Sequence, residues 1–302
     1  MNHLKKFLII PRIQVQNANA LSSPYTIGFP AMTAWLGAVH ALQRKIQEQG
    51  FPNIQFKSVG VVSHDFALQT HCGPGDYVSS IIGTGNPLDK EGKRPSFIEE
   101  ARAHLTASLV IEYSGINVEE KEQLIPIIIQ ILHSKLKLAG GDILSFEKPY
   151  FSNTECTIDT VKILRKLMPG YVILERRDLM HQAMQNGQDA LDALIEYLAV
   201  HHTCEQQDEK VIWKTGRKEK GWLVPIAVGF QGISPLGKAL NQRDDTIPHR
   251  FAEAVVTLGE FRMVHHIKNI EDMQWSYQID LENDLYLCQI LQNEDDLSAF
   301  FN

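Results

Sequence analysis

Hydrophobic positions along the chain fall into short β-like runs separated by a few helical stripes. Phe7, Leu8, Ile9, Ile10, Ile13 and Val15 are β-forming side chains followed by turn signals, and they predict a first strand over residues 6–15. Residues 16–30 are dense in Asn, Ser, Gly and Pro and read as a loop. Trp35, Val39, Leu42 and Ile46 recur at i, i+4, i+7 and i+11, which predicts an amphipathic helix over 33–49 with Thr33 as its cap and Gly50-Phe51-Pro52 as its stop. A second strand over 59–63 ends at His64. Residues 65–94 read as a long insertion with a hairpin near 77–82 and a basic tip at Lys90, Lys93 and Arg94. A loop of that length inside a compact domain is functional or disordered.

A short helix is expected over 96–103, then a strand over 104–113 in which Leu105, Ala107, Leu109 and Ile111 alternate with His104, Thr106, Ser108 and Glu112. Residues 119–137 read as a helix that opens on acids, ends on Lys135 and Lys137 and turns Leu124, Ile128 and Ile131 inward. A strand over 143–146 follows Leu138-Ala139-Gly140-Gly141-Asp142. The order β–α–β, insertion, β–α–β is the ferredoxin-like (RRM-type) α+β pattern, with two helices on one face of an antiparallel sheet. The other face, or the loop rim, is then free to meet RNA. No RNP1-type aromatic run is present, so base stacking of the ordinary RRM kind is not supported. Beyond residue 150 helices are expected over 157–168 and 176–199, a polar connector over 204–220, a strand over 221–236 broken at Pro225, and a helix over 251–258 ended by Gly259.

Charge adds an asymmetry. Residues 1–60 hold six basic residues and one acid, a net +5, on a chain of −7, so residues 61–302 carry −12. A basic region on an acidic chain points to an anionic ligand there and to other partners elsewhere. Residues 269–302 hold eight acids and no Lys or Arg, which disfavours RNA contact at that end. Four scattered cysteines, Cys72, Cys156, Cys204 and Cys288, read as unpaired thiols of a reducing cytosol. The N-terminal apolar run ends at Pro11-Arg12 and is too short for a signal peptide, and no later run is long enough to span a bilayer. No phosphate-binding loop, dinucleotide fingerprint, nucleophile elbow or HExxH motif occurs. Neither His265-His266 nor His201-His202 has ligand spacing, so no metal and no cofactor are expected. His40, Gln43 and Arg44 share one helical face that reaches phosphate or base edges.

Several blocks resemble a known family. They are Pro11-Arg12, QNANALSSP (16–24), Gly28-Phe29-Pro30, HALQR (40–44), EEARAHL (99–105), LAGGDI (138–143), GWLVP (221–225) and RFAEAVVTLGE (250–260). Together they are similar to the family of second subunits of the type I-F CRISPR surveillance complex, the Csy complex. The resemblance touches nearly the whole chain and is weakest over 150–220. It implies a RAMP protein of the Cas five group, with a ferredoxin-like palm over 1–150, a thumb-like insertion near 65–100, a helical insertion over 151–220 and a portion over 221–302 that completes the palm. It implies a cytoplasmic, non-catalytic subunit that holds the 5′ handle of CRISPR RNA with the large subunit, beside the first backbone subunit. Target DNA within the assembled complex is a further contact it allows, and no membrane is involved. The RNA-binding residues it points to are Arg12, Gln16, Asn17, Asn19, Ser22, Ser23, His40, Gln43, Arg44, Arg102 and His104, with Arg12 and Arg44 on phosphate and Asn17 and Asn19 on splayed bases.

Two readings of other classes remain at this point. One is an RNA-processing endoribonuclease on the same fold, with His40, His64 or His104 as base. The other is a structural scaffold that binds only the large subunit.

Overall fold

A computed structural model of the chain describes residues 5–84, 88–94, 98–154, 157–207, 210–242, 244 and 246–291. Strand β1 (Lys5–Asn19) runs on through residues expected to be loop. A short hairpin, β2 (Leu21–Ser23) with β3 (Thr26–Ile27), leads into helix α1 (Met32–Glu48). The helix buries Trp35, Val39, Leu42 and Ile46 as its stripe requires. Ala31 rather than Thr33 is the N-cap residue, and no side chain caps it. Instead Trp35 Nε1 donates to Pro30 O at 3.2 Å, and its ring stacks on Phe29 at 5.3 Å.

Strand β4 (Gln55–Leu68) extends past both ends of the expected strand. Two small hairpins follow, β5 (Thr70–His71) with β6 (Ser80–Ile81) and β7 (Gly83–Thr84) with β8 (Ile98–Glu99). The helix expected over 96–103 is not found. Among its described residues, 98–99 form β8 and Arg102 opens strand β9 (Arg102–Ser114). Ala101 and Ala103 face Ala20 in a small buried cluster, and residues two apart share a face only in a strand. Helix α2 (Val118–Ser134) begins with a capping box in which Asn117 accepts from Glu120 N at 2.9 Å and Glu120 accepts from Asn117 N at 2.7 Å. Short strands β10 (Lys137–Leu138), β11 (Gly141–Ser145) and β12 (Tyr150–Thr154) return to β1.

Residues 157–199 carry three helices, α3 (Thr157–Lys166), α4 (Arg177–Gln185) and α5 (Ala190–Leu198), and the single helix expected over 176–199 is broken at Asn186 and Gly187, the latter at φ 87°. The section beyond residue 150 also contains β13 (Tyr171–Glu175) and, where a polar connector was expected, a hairpin of β14 (His201–Gln207) and β15 (Lys210–Gly216). Strand β16 (Trp222–Gly232) continues through Pro225 without a break. Its partner β19 (Leu285–Ile290) pairs only at Gly229–Gln231, so the edge beside Pro225 needs no N–H donor. Residues expected as a helix over 251–258 lie in strand β17 (Ala252–Met263). The β-branched run Val255-Val256-Thr257 sits there between two strands that each supply ladder partners. Strand β18 (Trp275–Asp280) completes the set.

The large sheet has the order β10-β11-β1-β9-β4-β13-β17-β16-β19-β18, with every pairing antiparallel, and β12 pairs with β1 beside it. One edge of β4 follows β9 throughout. The other is shared by β13 at Val62 and Ser63 and by β18 at Val59, which closes the last six strands into a ring. The main core covers both faces of the sheet at Phe7–Ile10, Val59–Val62 and Leu109–Ile111. Toward Gln14–Asn19 and His104–Thr106 one face opens to solvent. No helix among the described residues is long and apolar enough to cross a membrane. Cys72, Cys204 and Cys288 are free thiols, and Cys156 lies outside the described residues.

Glu175 is buried where β13 meets the last strand. Its carboxylate accepts from Ile290 N at 3.0 Å and pairs with Arg177 at 3.5 Å. Burial pushes its pKa from the ordinary 4.5 up to about 7, against the pull of Arg177 and the Ile290 N–H. The folded state therefore holds a proton that the unfolded state releases between pH 4.5 and 7. The Glu175 contribution to stability is complete below that window and is lost as pH rises through it, a loss on the order of 3 kcal/mol. Denaturant titrations from pH 4.5 to 8 should show this slope in the wild type, and Glu175→Gln should flatten it while keeping the acceptor for Ile290.

Candidate nucleic-acid interface

The candidate surface begins with a mismatch in length. Between Ile10 and Ile13 strand β1 advances three residues while β9 goes from Leu109 to Ala107. Between Val15 and Ala18 it again advances three while β9 goes from Leu105 to Ala103. Each interval is a bulge with one extra residue, and each holds a non-glycine in the left-handed region, Arg12 at φ 50° and Asn17 at φ 57°. The bulges reset the alternation. Ile13, Val15, Ala18 and Ala20 point inward, and Gln14, Gln16, Asn17 and Asn19 stand out.

At the first bulge Arg12 is tied down twice. Its backbone N–H donates to Ser108 Oγ at 2.9 Å and its guanidinium to Met168 O at 2.9 Å. Ser108 Oγ lies 2.6 Å from His64 Nε2, and His64 Nδ1 lies 2.7 Å from Pro169 O. A carbonyl only accepts, so Nδ1 carries the proton and Nε2 accepts from the serine hydroxyl. Burial is the main reason the ring titrates below the ordinary histidine range, and the Arg12 charge lowers it further against the pull of the Pro169 carbonyl.

The second bulge carries a denser polar cluster. Asn17 N donates to His104 Nδ1 at 3.3 Å, the Asn17 side-chain amide meets that of Gln69 at 2.7 Å, and Gln69 lies 3.2 Å from His104 Nε2. Gln69 N also donates to Arg102 O at 2.8 Å, which fixes the end of β4 beside the start of β9. Arg102 stands opposite Asn19 in the ladder, and its guanidinium pairs with Glu100 at 2.9 Å.

The other predicted loop residues shape the turn. The Asn19 amide donates to Leu21 O and accepts from Leu21 N, both at 3.1 Å. Ser22 and Ser23 hydroxyls each lie 2.8 Å from Thr26 Oγ1, and Ser23 is buried. The turn joining β10 and β11 comes up against this segment, with Asn19 N donating to Ala139 O at 2.8 Å. Asn19, Ser22, Thr33, Lys137 and Gly140 rim an open groove of about 460 Å³, floored by the small side of α1. A second open depression of about 310 Å³ lies over Gln14, Gln16, Asp65, His104 and Thr106.

His40 and Gln43 do not join these residues. They lie in the later half of α1 and border a cleft with Phe56, Lys57 and Trp275. Gln43 Oε1 accepts from Phe56 N at 2.6 Å, while Arg44 is exposed with no protein partner among the described residues. Nor do the three candidate histidines converge. His104 and Ser108, the partner of His64, are four residues apart on β9, about 13 Å. The basic residues of the first sixty also spread out, with Lys5 paired to Glu271 at 3.3 Å at the far end of β1. Gln69 and Lys137 escaped the sequence reading. Phe66 and Leu68, both half-buried, continue an alternation past His64 that would have carried β4 as far as Gln69.

Among the described residues no group of three or more His, Cys, Asp or Glu is placed to hold a metal. The fold and this surface define a mixed α/β protein on a large antiparallel sheet, distinguished by an open polar groove at a bulged strand end. A family model described as CRISPR-associated protein (Cas_Csy2) matches residues 8–288. The chain is 31% identical to the CRISPR-associated protein Csy2 of Pseudomonas aeruginosa (strain UCBPP-PA14), over 92% of this chain and 93% of the relative. The chain therefore belongs to the Csy2 family of CRISPR-associated proteins.

Gly141 makes the meeting of the two segments possible. A Cβ there would lie 2.6 Å from Gln16 O and 2.8 Å from Ala18 N, both backbone atoms. Gly141→Ala should cost about 1–3 kcal/mol in denaturant unfolding. Gly37→Ala on α1, with nothing within 4 Å of the added carbon, should instead raise stability by about 0.5–1 kcal/mol.

Proposed function

We propose that the chain is a non-catalytic subunit of the type I-F CRISPR RNA-guided surveillance (Csy) complex. In this reading it holds the 5′ handle of CRISPR RNA with the large subunit, beside the first backbone subunit, in the cytoplasm and in antiviral defence. The observation that carries the reading is the bulged end of β1. There Gln16, Asn17 and Asn19 stand out near His104 and Arg102; Asn19 and Lys137 rim one open groove, and Gln16 and His104 line a second depression. Amide side chains on an open groove are suited to splayed RNA bases, whose edges need both donors and acceptors. Arg44, exposed and unpaired among the described residues, is suited to phosphate.

The strand order β11-β1-β9-β4, with α1 and α2 as crossovers, supports a ferredoxin-like RAMP palm over residues 1–150. Residues near 65–100 are then the thumb, 151–220 an insertion, and 221–302 the portion that completes the palm. A non-catalytic role is supported by the histidines. A general base must come within hydrogen-bond reach of its proton, and His64 and His104 are each engaged in separate networks. The remaining acidic surface suits protein partners.

Co-expression with neighbouring subunits and a CRISPR array, followed by pull-down and RNA sequencing, tests the reading. The wild type should recover a large subunit and a short CRISPR RNA, and joint replacement of Asn17, Asn19 and Arg44 by Ala should lose the RNA. Recovery of the same RNA by that variant would overturn the assignment. Arg44→Ala alone should lower affinity several-fold and reduce the salt dependence by about one phosphate contact.

A further inference from the structure

The cluster at the second bulge contains a conflict of hydrogen-bonding capacity, and resolving it assigns one more ligand-facing residue. His104 Nδ1 receives the Asn17 backbone N–H at 3.3 Å, and His104 Nε2 lies 3.2 Å from the Gln69 amide. With the amide nitrogen of Gln69 in that position, both ring nitrogens would have to accept. A neutral imidazole accepts at one nitrogen only. The backbone N–H of Asn17 is a donor whatever the side chains do, so Nδ1 is the acceptor and Nε2 carries the proton. The group facing Nε2 must then be the Gln69 carbonyl oxygen. The same oxygen lies at 2.7 Å from the Asn17 amide, which must turn its NH₂ toward it. Amide oxygen and nitrogen differ only in the network they satisfy, and this orientation satisfies every contact.

The orientation determines what remains. The Gln69 NH₂ and the Asn17 carbonyl oxygen are left with no protein partner among the described residues. They belong to two side chains in direct contact, one on a residue at the exposed face and the other on its half-buried neighbour. Gln69 has little freedom to swing away, because its amide is held by both Asn17 and His104 and its backbone is bonded to Arg102 O at 2.8 Å. Asn17 has little either, because its left-handed backbone is set by the bulge and by His104.

We infer that Gln69 and Asn17 form an outward donor–acceptor pair, oriented by His104 acting as an Nε2–H tautomer, that takes one edge of an unstacked nucleobase. This rests on the RNA-handle reading and names the contact at that site. His104 is a positioning residue here, and Gln69 a base-contacting one. A base edge offers a donor beside an acceptor, which a fixed amide pair can match and a phosphate cannot.

Two measurements test it. In the full chain labelled with ¹⁵N-histidine, with His104 assigned by loss of its signal in His104→Gln, long-range ¹H–¹⁵N correlation should show a protonated Nε2 and a bare Nδ1. A protonated Nδ1 would overturn the inference whatever the RNA does. In the co-purified complex with the large subunit, a fluorescent handle RNA should bind Gln69→Met about tenfold more weakly at unchanged salt slope, because a base contact and no phosphate contact is lost. Gln69→Glu keeps the acceptor toward His104 but turns the outward donor into an acceptor. It should alter the ranking of handle RNAs substituted one base at a time, which a merely structural residue would not do. Unchanged affinity and ranking in both Gln69 variants, with binding still lost in the Asn17, Asn19 and Arg44 triple variant, would overturn the inference and leave the handle reading standing. Unaltered binding by that triple variant would remove the handle reading, and the inference with it.

Discussion

Strand β1 has one residue too many for its partner at two places, and the candidate interface depends on that surplus. A regular strand of this sequence would turn every second residue of the QNANA segment inward. The bulges let Ile13, Val15, Ala18 and Ala20 all reach the interior while Gln14, Gln16, Asn17 and Asn19 stay outside. Each bulge puts a side-chain-bearing residue in the left-handed region, which costs on the order of 1 kcal/mol or more. The surroundings offset that cost with specific bonds. Ser108 takes the freed Arg12 N–H, and His104 takes the freed Asn17 N–H. Both acceptors sit on β9 at positions whose side chains leave the sheet opposite the main hydrophobic alternation. The polar half of β9 is thus the device that holds β1 in its irregular shape.

The same logic separates what a residue looks like in the sequence from what it does. Arg12 is a cation in a basic segment, yet its guanidinium is bonded to Met168 O. Ser22, Ser23 and Asn19 are polar loop residues, yet much of their hydrogen-bonding capacity goes to closing the turn. The six basic residues of the first sixty are spread over the start and middle of β1, the far half of α1 and the start of β4. Under the proposed RNA reading, recognition at this groove would therefore rest on shaped amides more than on accumulated charge. That favours reading bases over non-specific attraction to any polyanion.

The parts of the fold that were legible are those decided locally. The stripe of α1, the inward face of α2 and the alternation of β9 all lie within one element and reappear intact. Misread segments were those decided by distant partners. Val255-Val256-Thr257 becomes a strand because β13 and β16 lie on either side of it, and Ala101 and Ala103 because Ala20 packs against them. No pattern inside residues 16–19 announces a bulge, because the extra residue is defined only against β9. The candidate site was legible in its residue types, and Asn17 and His104 do meet. His40 and Gln43 share a helix with the groove but border another cleft. Gln69 was hidden by treating everything after His64 as insertion.

Strand β4 links these two scales. Its start is held on one side by β9 and on the other by β18 at Val59 and β13 at Val62 and Ser63, inside the closed ring of six strands. Its end, past Ser63, pairs only with β9 among the described residues and finishes next to Gln69. The ring is a packed core, and packed cores resist small displacements. Gln69 therefore sits at the tip of a strand whose root is rigid and whose free end meets the bulge. The chain builds a stiff foundation some distance from the groove and lets a single strand carry that stiffness to it. Under the proposed reading, a ligand bound at the groove would meet side chains whose orientation was settled before it arrived, which is how a few amide contacts become selective.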